Sequence, residues 1–377
     1  MKIFSMGVLA TSLLLLAACT GATKQAKPQA AANEIVIGVA GPMSGDLAEF
    51  GSQLRHGADQ AVADVNAAGG VLGKQLKLVI GDDQCDPKRA VLVANDLVEQ
   101  GVVFVDGHFC SGSSIPASEV YEAAGVVQMS PSSTNPKLTE RGIGTLFRIT
   151  GRDDRQGSFA GPWLARHFAG KAVAILDDGS AYGRQVAVET ARAMEAAGLK
   201  AAIREHYSPA SKDYTALIAA LKAAQIAGVY LGGYHDSIGV FARQARENGL
   251  SAQIFGADAL NTLEYVTIAG AASDGTMFTS GAELRNLPAA KAMVERFRAD
   301  GWEPEGYTLS AYAAIEVWAQ AVRKAGTTDA AAVAAALRDN TWQTVIGEVD
   351  FDDAGDLTNA AYTWYRFQNG TYREVGN

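Results

Sequence analysis

The residues with the clearest chemical potential lie in the stretch GHFCSGSSIPAS, residues 107–118, directly after the apolar run VVFV. A strand that leads into a turn rich in serine and glycine, and then into a helix, suits two kinds of chemistry. One is a nucleophile elbow, in which a serine or cysteine attacks a substrate. The other is an anion site, where hydroxyl groups and unpaired N–H groups at a helix start hold a carboxylate.

The catalytic interpretation finds no support elsewhere in the sequence. There is no Gly-x-Ser-x-Gly motif, no phosphate-binding loop and no Gly-x-Gly-x-x-Gly after a predicted strand. The five histidines are scattered without metal-ligand spacing. His108 is close to Ser111, but no acid nearby in sequence would orient it. We therefore predict a protein that is not an enzyme and has neither a metal site nor a cofactor.

The anion-site interpretation fits better, although it leaves an alternative open. Ser111, Gly112, Ser113 and Ser114 stand at a predicted helix start, where the positive end of the helix dipole favours a carboxylate. Plain N-capping would explain these serines at least as well. The stretch SPSSTNP, residues 130–136, is a second polar turn with the same ambiguity. The sharper hypothesis is a free α-carboxylate held between the two turns.

The elements that must position these turns alternate regularly from Glu34 onward. Apolar segments such as EIVIGVAG and QLKLVIGDD predict buried strands, and amphipathic segments between them predict helices. The same alternation of predicted strands and helices resumes after Gly151, with KAVAILDD and AGVYLGG as further strands. Such alternation indicates parallel sheets covered on both faces, and the number of units predicts two doubly wound lobes. Ligands of such folds bind at the C-terminal ends of the strands.

The N-terminus indicates export. The segment MKIFSMGVLATSLLLLAAC has one lysine and an apolar stretch too short to span a membrane comfortably. Its end, Leu16-Ala17-Ala18-Cys19, resembles a bacterial lipobox. We predict a signal peptide over residues 1–18, lipidation of Cys19 and a tether over 19–33, with ordinary cleavage after Ala22 as the alternative. The protein would lie in the periplasm or on the outer face of the cytoplasmic membrane, held only by the anchor.

Charge and cysteine content add two expectations. The formal net charge of −9, without a long basic run, argues against a nucleic-acid partner. Setting Cys19 aside leaves Cys85 and Cys110, an even pair in an oxidising compartment. A bridge between them would leave Cys110 without a free thiol, which weakens the nucleophile interpretation further.

Several stretches together resemble the branched-chain amino-acid-binding proteins of ABC importers, of the leucine/isoleucine/valine-binding type. They are GPMSGDLAEFG, GADQAVADVNAAGGVLGKQL, DDQCDPKRAVLVAN, GHFCSGSSIPAS, SPSSTNPKLTERG, LGGYHDSIG and YAAIEVWAQA. The resemblance implies an α/β fold with two Rossmann-like doubly wound lobes joined by three hinge crossovers, a type I periplasmic binding protein. It places lobe 1 at residues 34–151 and 282–357, lobe 2 at 152–281 and 358–377, and hinges near Gly151, Gly281 and Thr358.

The resemblance also assigns roles to residues of the site. Ser111 and Thr134, with the backbone at Ser132, match positions that bind the ligand carboxylate, and Asp258 matches an acid that pairs with the ligand ammonium. The matching side-chain walls are Phe50, Phe109, Tyr182, Tyr234 and Tyr307. Cys85 and Cys110 match the disulfide of the family. Taken alone, Asp258 would be a helix cap and the tyrosines core residues with satisfied hydroxyls.

Three positions depart from the nearest family pattern, which has Glu at Asp258, Leu at Phe109 and Ala at Ser132. Asp is one methylene shorter than Glu, and Phe109 takes volume that a leucine ligand would use. These changes suggest a smaller aliphatic amino acid, or one with a displaced amino group such as a γ-amino acid.

The sequence therefore predicts a monomeric receptor that captures a small aliphatic amino acid by hinge closure and delivers it to an ABC permease. A receptor for an amide or urea, or a sensory protein with the same fold, is the nearest alternative. An exported enzyme is the alternative from another functional class.

Overall fold

The first lobe is built on a parallel sheet whose edge strand over residues 75–82 is partly exposed, whereas its other four strands are buried because helices cover both faces. The computed structural model describes residues 1–2 and 33–375. The strand order is β2-β1-β3-β4-β5, and each neighbouring pair is parallel. The strands are β1 (Glu34–Gly41), β2 (Gln75–Asp82), β3 (Phe104–Gly107), β4 (Val127–Ser130) and β5 (Leu146–Arg148).

Helices from two distant parts of the chain cover this sheet. The early ones are α1 (Ala48–Ala67), α2 (Pro87–Glu99) and α3 (Ser111–Ala124), and the late ones are α9 (Lys291–Ala299), α10 (Thr308–Ala325) and α11 (Ala330–Arg338). Helix α10 packs along α1 and over β3, where Trp318 stacks on Phe104 with ring centroids 4.8 Å apart. A short hairpin of β11 (Trp342–Thr344) and β12 (Gly347–Val349) follows α11. The late segment is thus part of the first lobe's core.

The second lobe has a sheet with a parallel part and an antiparallel edge. Its order is β14-β13-β10-β9-β8-β6-β7. The parallel strands are β6 (Val173–Asp177), β7 (Ile203–His206), β8 (Gly228–Gly232), β9 (Gln253–Gly256) and β10 (Met277–Ser280). The antiparallel strands are β13 (Thr363–Gln368) and β14 (Thr371–Val375). The helices of this lobe are α4 (Asp153–His167), α5 (Ala181–Ala196), α6 (Thr215–Ala223), α7 (His235–Glu247) and α8 (Glu264–Ala269).

The chain crosses between the lobes three times: between β5 and α4, between β10 and α9, and between β12 and β13. The predicted fold class, two doubly wound lobes joined by three crossovers, is confirmed. The exact lobe boundaries stay predictions. The predicted signal peptide, Cys19 and most of the tether lie outside the described residues. Among those that are described, no helix is long and apolar enough to cross a membrane.

A disulfide joins Cys85 to Cys110, with Cα atoms 5.5 Å apart. Cys85 follows β2, and Cys110 caps the start of α3. The predicted bridge is therefore present, and it anchors the serine-rich turn to the end of β2.

Replacing both Cys85 and Cys110 by serine should lower the free energy of unfolding by roughly 3–4 kcal/mol, because the bridge restricts the unfolded chain. Urea denaturation of the oxidised protein measures the change. A reducing agent should produce the same loss in the wild type and none in the double variant. Equal stability of the reduced and oxidised wild type would contradict the expectation.

Candidate functional site

The first side of the site is the turn that joins β3 to α3. Cys110 is the cap residue of α3, and Ser111 is its first helical residue, 1% exposed. Within the described chain no side chain caps this helix, and the Ser111 Oγ instead accepts a hydrogen bond from the Asn135 N–H at 3.3 Å. N-capping therefore does not account for Ser111. The N–H groups of Ser113 and Ser114 donate to the Cys110 carbonyl, each at 2.9 Å, whereas those of Ser111 and Gly112 have no partner among the described residues and are available to an anion.

The second side is the turn after β4, and serine hydroxyls hold it against the first. The Ser130 Oγ donates to the His108 carbonyl at 2.8 Å, and the Ser132 Oγ donates to the Phe109 carbonyl at 3.0 Å. The Ser133 Oγ also donates to the Phe109 carbonyl, at 2.8 Å. These bonds fix the two serine turns side by side at the C-terminal edge of the first sheet.

The second lobe supplies Tyr182 and Asp258. Tyr182 lies in the first turn of α5, which approaches the end of β8 closely because position 183 is glycine: a Cβ there would meet the Gly232 carbonyl oxygen at 2.5 Å. The Tyr182 hydroxyl donates to the Asp258 Oδ1 at 2.8 Å and accepts from the Ala259 N–H at 3.2 Å. Asp258 is thus a hydrogen-bonded acid of the cleft and not a simple helix cap.

The first lobe binds the same carboxylate. Tyr307, the cap residue of α10, donates its hydroxyl to the Asp258 Oδ2 at 2.8 Å. Burial raises the pKa of Asp258, and the two tyrosine hydroxyls oppose this rise by stabilising the charged form. Both hydroxyls that donate to the Asp258 carboxylate are neutral. A positive charge placed beside this buried carboxylate would therefore be strongly favoured.

Aromatic rings complete the walls. Phe50 stacks on Phe109 with centroids 4.3 Å apart, and Phe109 meets Tyr307 edge-on at 5.0 Å. Tyr182 and Tyr234 are 5.2 Å apart on the other side. A cavity of about 10 Å³, room for roughly one water molecule, lies between them. Seven predicted residues line it: Phe109, Ser111, Ser132, Tyr182, Tyr234, Asp258 and Tyr307.

The other two predicted residues lie just outside this small cavity. Phe50 is fully buried behind Phe109. Thr134 lines a larger cavity of about 240 Å³ that reaches the crossovers and shares Asp258 and Tyr307 with the small one. All nine predicted residues thus belong to one continuous region between the lobes.

The lobes contact each other around the site. The Asn135 Nδ2 donates to the Ala181 carbonyl at 2.8 Å. Glu305, from the first lobe, accepts from the Thr262 hydroxyl at 3.3 Å and from the Leu263 N–H at 3.2 Å in the second. Together with the bond from Tyr307 to Asp258, these contacts describe a closed cleft.

His108 has an orienting acid that comes from a distant part of the sequence, consistent with the expectation that none lies nearby in the chain. Its Nδ1 is 2.5 Å from the Asp83 Oδ2, and its Nε2 is 2.9 Å from the Tyr121 hydroxyl. Asp83 follows β2, which is separated from β3 by β1 in the sheet, and it is 25 residues from His108 in sequence, so no local pattern reveals the pair. Both ring nitrogens are engaged in the interior of the first lobe, which leaves Ser111 without a histidine base.

Comparison with known proteins agrees with this geometry. The periplasmic binding protein family model matches residues 34–371. An amino acid binding protein of Pseudomonas aeruginosa is 43% identical over 378 residues, 99% of each chain. The leucine-, isoleucine-, valine-, threonine- and alanine-binding protein of the same organism is 42% identical, covering 91% of this chain and 92% of that relative. LivJ of Streptococcus pneumoniae, solved with isoleucine, has a TM-score of 0.83 at 27% identity, covering 91% of this chain and all of that one.

The chain belongs to the periplasmic binding protein family. The predicted resemblance to branched-chain amino-acid-binding proteins is thereby confirmed. Members of this family are substrate-binding proteins that act outside the cytoplasm. The individual ligand-binding roles of the nine residues remain predictions.

Sequence reasoning missed a buried network that holds this periplasmic binding protein's second turn in place. The Arg148 guanidinium, fully buried, donates from Nη1 to the carbonyls of Ser133 and Asn135, each at 3.0 Å, and from Nε to the Asp356 Oδ1 at 2.5 Å. Asp356 also accepts from the Arg152 Nη1 at 2.7 Å. The network connects the turn after β4 to the first and third crossovers.

A second missed residue is Asp153, the first residue of α4. It is fully buried at the first crossover, and its N–H donates to the Thr134 carbonyl at 2.9 Å. Neither carboxylate oxygen of Asp153 has a hydrogen-bond partner among the described residues. In the sequence it is one of two aspartates at a helix start, a pattern that normally marks an exposed first turn.

Replacing Asp356 by asparagine should destabilise the protein by about 3–5 kcal/mol at pH 7, because the buried Arg148 loses its charged partner. Burial opposes ionisation of Asp356, but Arg148, Arg152 and the Thr139 hydroxyl outweigh it and hold its pKa below the usual range. The stabilisation is thus present above the unfolded pKa and is lost as the pH falls through the folded one.

Urea denaturation at pH 7 and at acidic pH measures this difference, which should shrink in acid as Asp356 of the wild type is protonated. The matched control is Asp353→Asn, an exposed position that should change stability by less than about 0.5 kcal/mol. A difference that stays constant with pH would contradict the assigned ion pair.

Proposed function

We propose that this protein is the extracytoplasmic binding component of an ABC importer and captures a small aliphatic amino acid by closure of its two lobes. The observation that carries the proposal is Asp258: its carboxylate is buried between two tyrosine hydroxyls, and it shares a small cavity with Ser111 at the start of α3. An acid opposite a helix N-terminus suits a zwitterion, which needs an anion for its ammonium and N–H donors for its carboxylate.

Both lobes would contribute contacts, so that the ligand favours the closed state by binding it more tightly than the open one. The Ser111 hydroxyl, the backbone N–H of Thr134 and the backbone at Ser132 would hold the carboxylate from the first lobe. Asp258 would hold the ammonium from the second. The walls of the side-chain pocket would be Phe50, Phe109, Tyr182, Tyr234 and Tyr307, and the protein would act as a monomer.

The relatives support the class of ligand, because one binds leucine, isoleucine, valine, threonine and alanine and another was solved with isoleucine. The aromatic wall formed by Phe50 and Phe109 supports the short end of that range. The stacked rings of Phe50 and Phe109 fill space beside Ser111 and Ser132, which leaves little room for a leucine side chain. A γ-amino acid is the second candidate, because the larger cavity beyond Asp258 has room for an ammonium displaced from the carboxylate.

We further propose that Cys19 carries a lipid anchor at the outer face of the cytoplasmic membrane or in the periplasm. The support is the lipobox-like Leu16-Ala17-Ala18-Cys19 after the apolar segment. Metabolic labelling with a fatty acid would distinguish lipidation of Cys19 from ordinary cleavage after Ala22.

Calorimetric titration with alanine, valine, leucine, proline, γ-aminobutyrate and urea tests the function. We expect a small amino acid to bind, and Asp258→Asn to weaken that binding roughly 30-fold or more, because a desolvated charge pair loses one partner. Asp106→Asn is the matched control: Asp106 is equally buried but on β3, outside both cavities.

Two results would contradict this function. Binding of urea with no response to any amino acid would favour the amide or urea receptor. Equal loss of amino-acid affinity in Asp106→Asn and Asp258→Asn would show a general effect of removing a buried acid.

Replacing Phe109 by leucine should shift preference towards longer side chains. Removing the ring opens the pocket beside Phe50, and each methylene accommodated in an apolar pocket is worth about 1–3 kcal/mol. We therefore expect the ratio of leucine to alanine affinity to rise about tenfold or more in competition titrations. An unchanged ratio, or leucine as the tightest ligand of the wild type, would refute the role given to Phe109.

A further inference from the structure

Asp153 is a buried acid whose side chain finds no partner within the described chain. Its neighbour Thr134 shares this property: the Thr134 Oγ1 is also buried and unpartnered, and it lines the larger cavity together with Asp258. The Asp153 N–H donates to the Thr134 carbonyl at 2.9 Å, so the two residues are adjacent, although their side chains form no hydrogen bond. If the Thr134 hydroxyl donates to Asp153, its lone pairs remain for an ammonium in the cavity that Thr134 lines.

The cations nearest to Asp153 are already committed elsewhere. The Arg148 guanidinium is bound to Asp356, to Thr139 and to two carbonyls of the second turn. Arg152 is bound to Asp154, Asp356 and Glu140. The remaining titratable groups that feel the charge of Asp153 are Tyr182, Tyr230, Tyr234, Tyr362, Asp154 and Asp258. None of these supplies a positive charge.

Burial and the nearby charge of Asp258 raise the pKa of Asp153 well above its usual range, and burial also raises that of Asp258. The larger cavity beside them contains Asp258, Glu283 and Glu348 in its lining and no basic residue. Glu283 is already paired with Arg285, at 2.7 Å, and one positive charge placed at the shared wall of the two cavities would offset one of the remaining acidic charges.

We propose that Asp153 is a positioning residue for the ligand ammonium, acting through the Thr134 hydroxyl, and that ligand capture releases a proton from the Asp153–Asp258 pair to solvent. This inference rests on the proposed function. The ammonium itself stays protonated, and the proton that leaves comes from a carboxyl group. Ligand affinity must then rise with pH until the pair is fully ionised, at up to tenfold per pH unit.

Calorimetry between pH 5 and 8, in buffers with different ionisation enthalpies, measures both affinity and released protons. The probe is whichever amino acid binds the wild type most tightly. We expect the wild type to release up to one proton. Asp153→Asn should bind about 10- to 100-fold more weakly near pH 8, release fewer protons and show a flatter affinity profile. Asp106→Asn should retain the wild-type profile.

Thr134→Val is the second variant, which keeps both acids and removes the bridging hydroxyl. It should lower affinity and reduce the pH dependence in the same direction, even if Asp153→Asn does not fold. Weaker binding by Asp153→Asn with an unchanged pH profile and proton count would reduce Asp153 to a structural role and overturn the inference. Absence of amino-acid binding by the wild type would instead contradict the proposed function, and this inference with it.

Discussion

The candidate site depends on one carboxylate, that of Asp258, which is buried without a cationic hydrogen-bond partner among the described residues. Asp258 is 5% exposed, and its two oxygens accept hydrogen bonds from tyrosines of opposite lobes. Hydrogen bonds to a charged group contribute about 1.5–3 kcal/mol each, which is less than the cost of removing an isolated carboxylate from water. The closed cleft is therefore electrostatically incomplete, and a ligand that supplies a positive charge gains from completing it.

A preference for a ligand with a cationic end requires that the two serine turns opposite Asp258 keep a fixed geometry. The serine turns are cross-linked by hydroxyl-to-carbonyl bonds, and the disulfide holds one of them to the end of β2. Arg148 binds two carbonyls of the other turn and also Asp356, close to the third crossover. The first and third crossovers are thus linked through Arg148 and Asp356 to the turn after β4, so that closure of the lobes would leave the shape of this turn unchanged.

Features encoded locally in sequence were predictable, and features that depend on distant pairing were not. The strand EIVIGVAG and the amphipathic α1 follow from short-range periodicity, and seven residues of the predicted site meet at one cavity because strand ends of parallel sheets converge. Arg148 and Asp356 are 208 residues apart, so neither sequence context reveals the ion pair. Asp153 resembles an exposed helix-start aspartate until the tertiary structure buries it.

The direct bonds between the lobes bear on how closure is driven. Tyr307, Glu305 and Asn135 each bond across the cleft through protein groups alone. The closed state therefore has stabilisation of its own, and the ligand needs only to add the difference between its affinity for the closed and the open state. Tyr307 donates to the same carboxylate that would hold the ligand ammonium. Closure of the lobes and neutralisation of the buried charge therefore both involve the Asp258 carboxylate. A ligand without a cationic end would leave Asp258 uncompensated and would shift the equilibrium less.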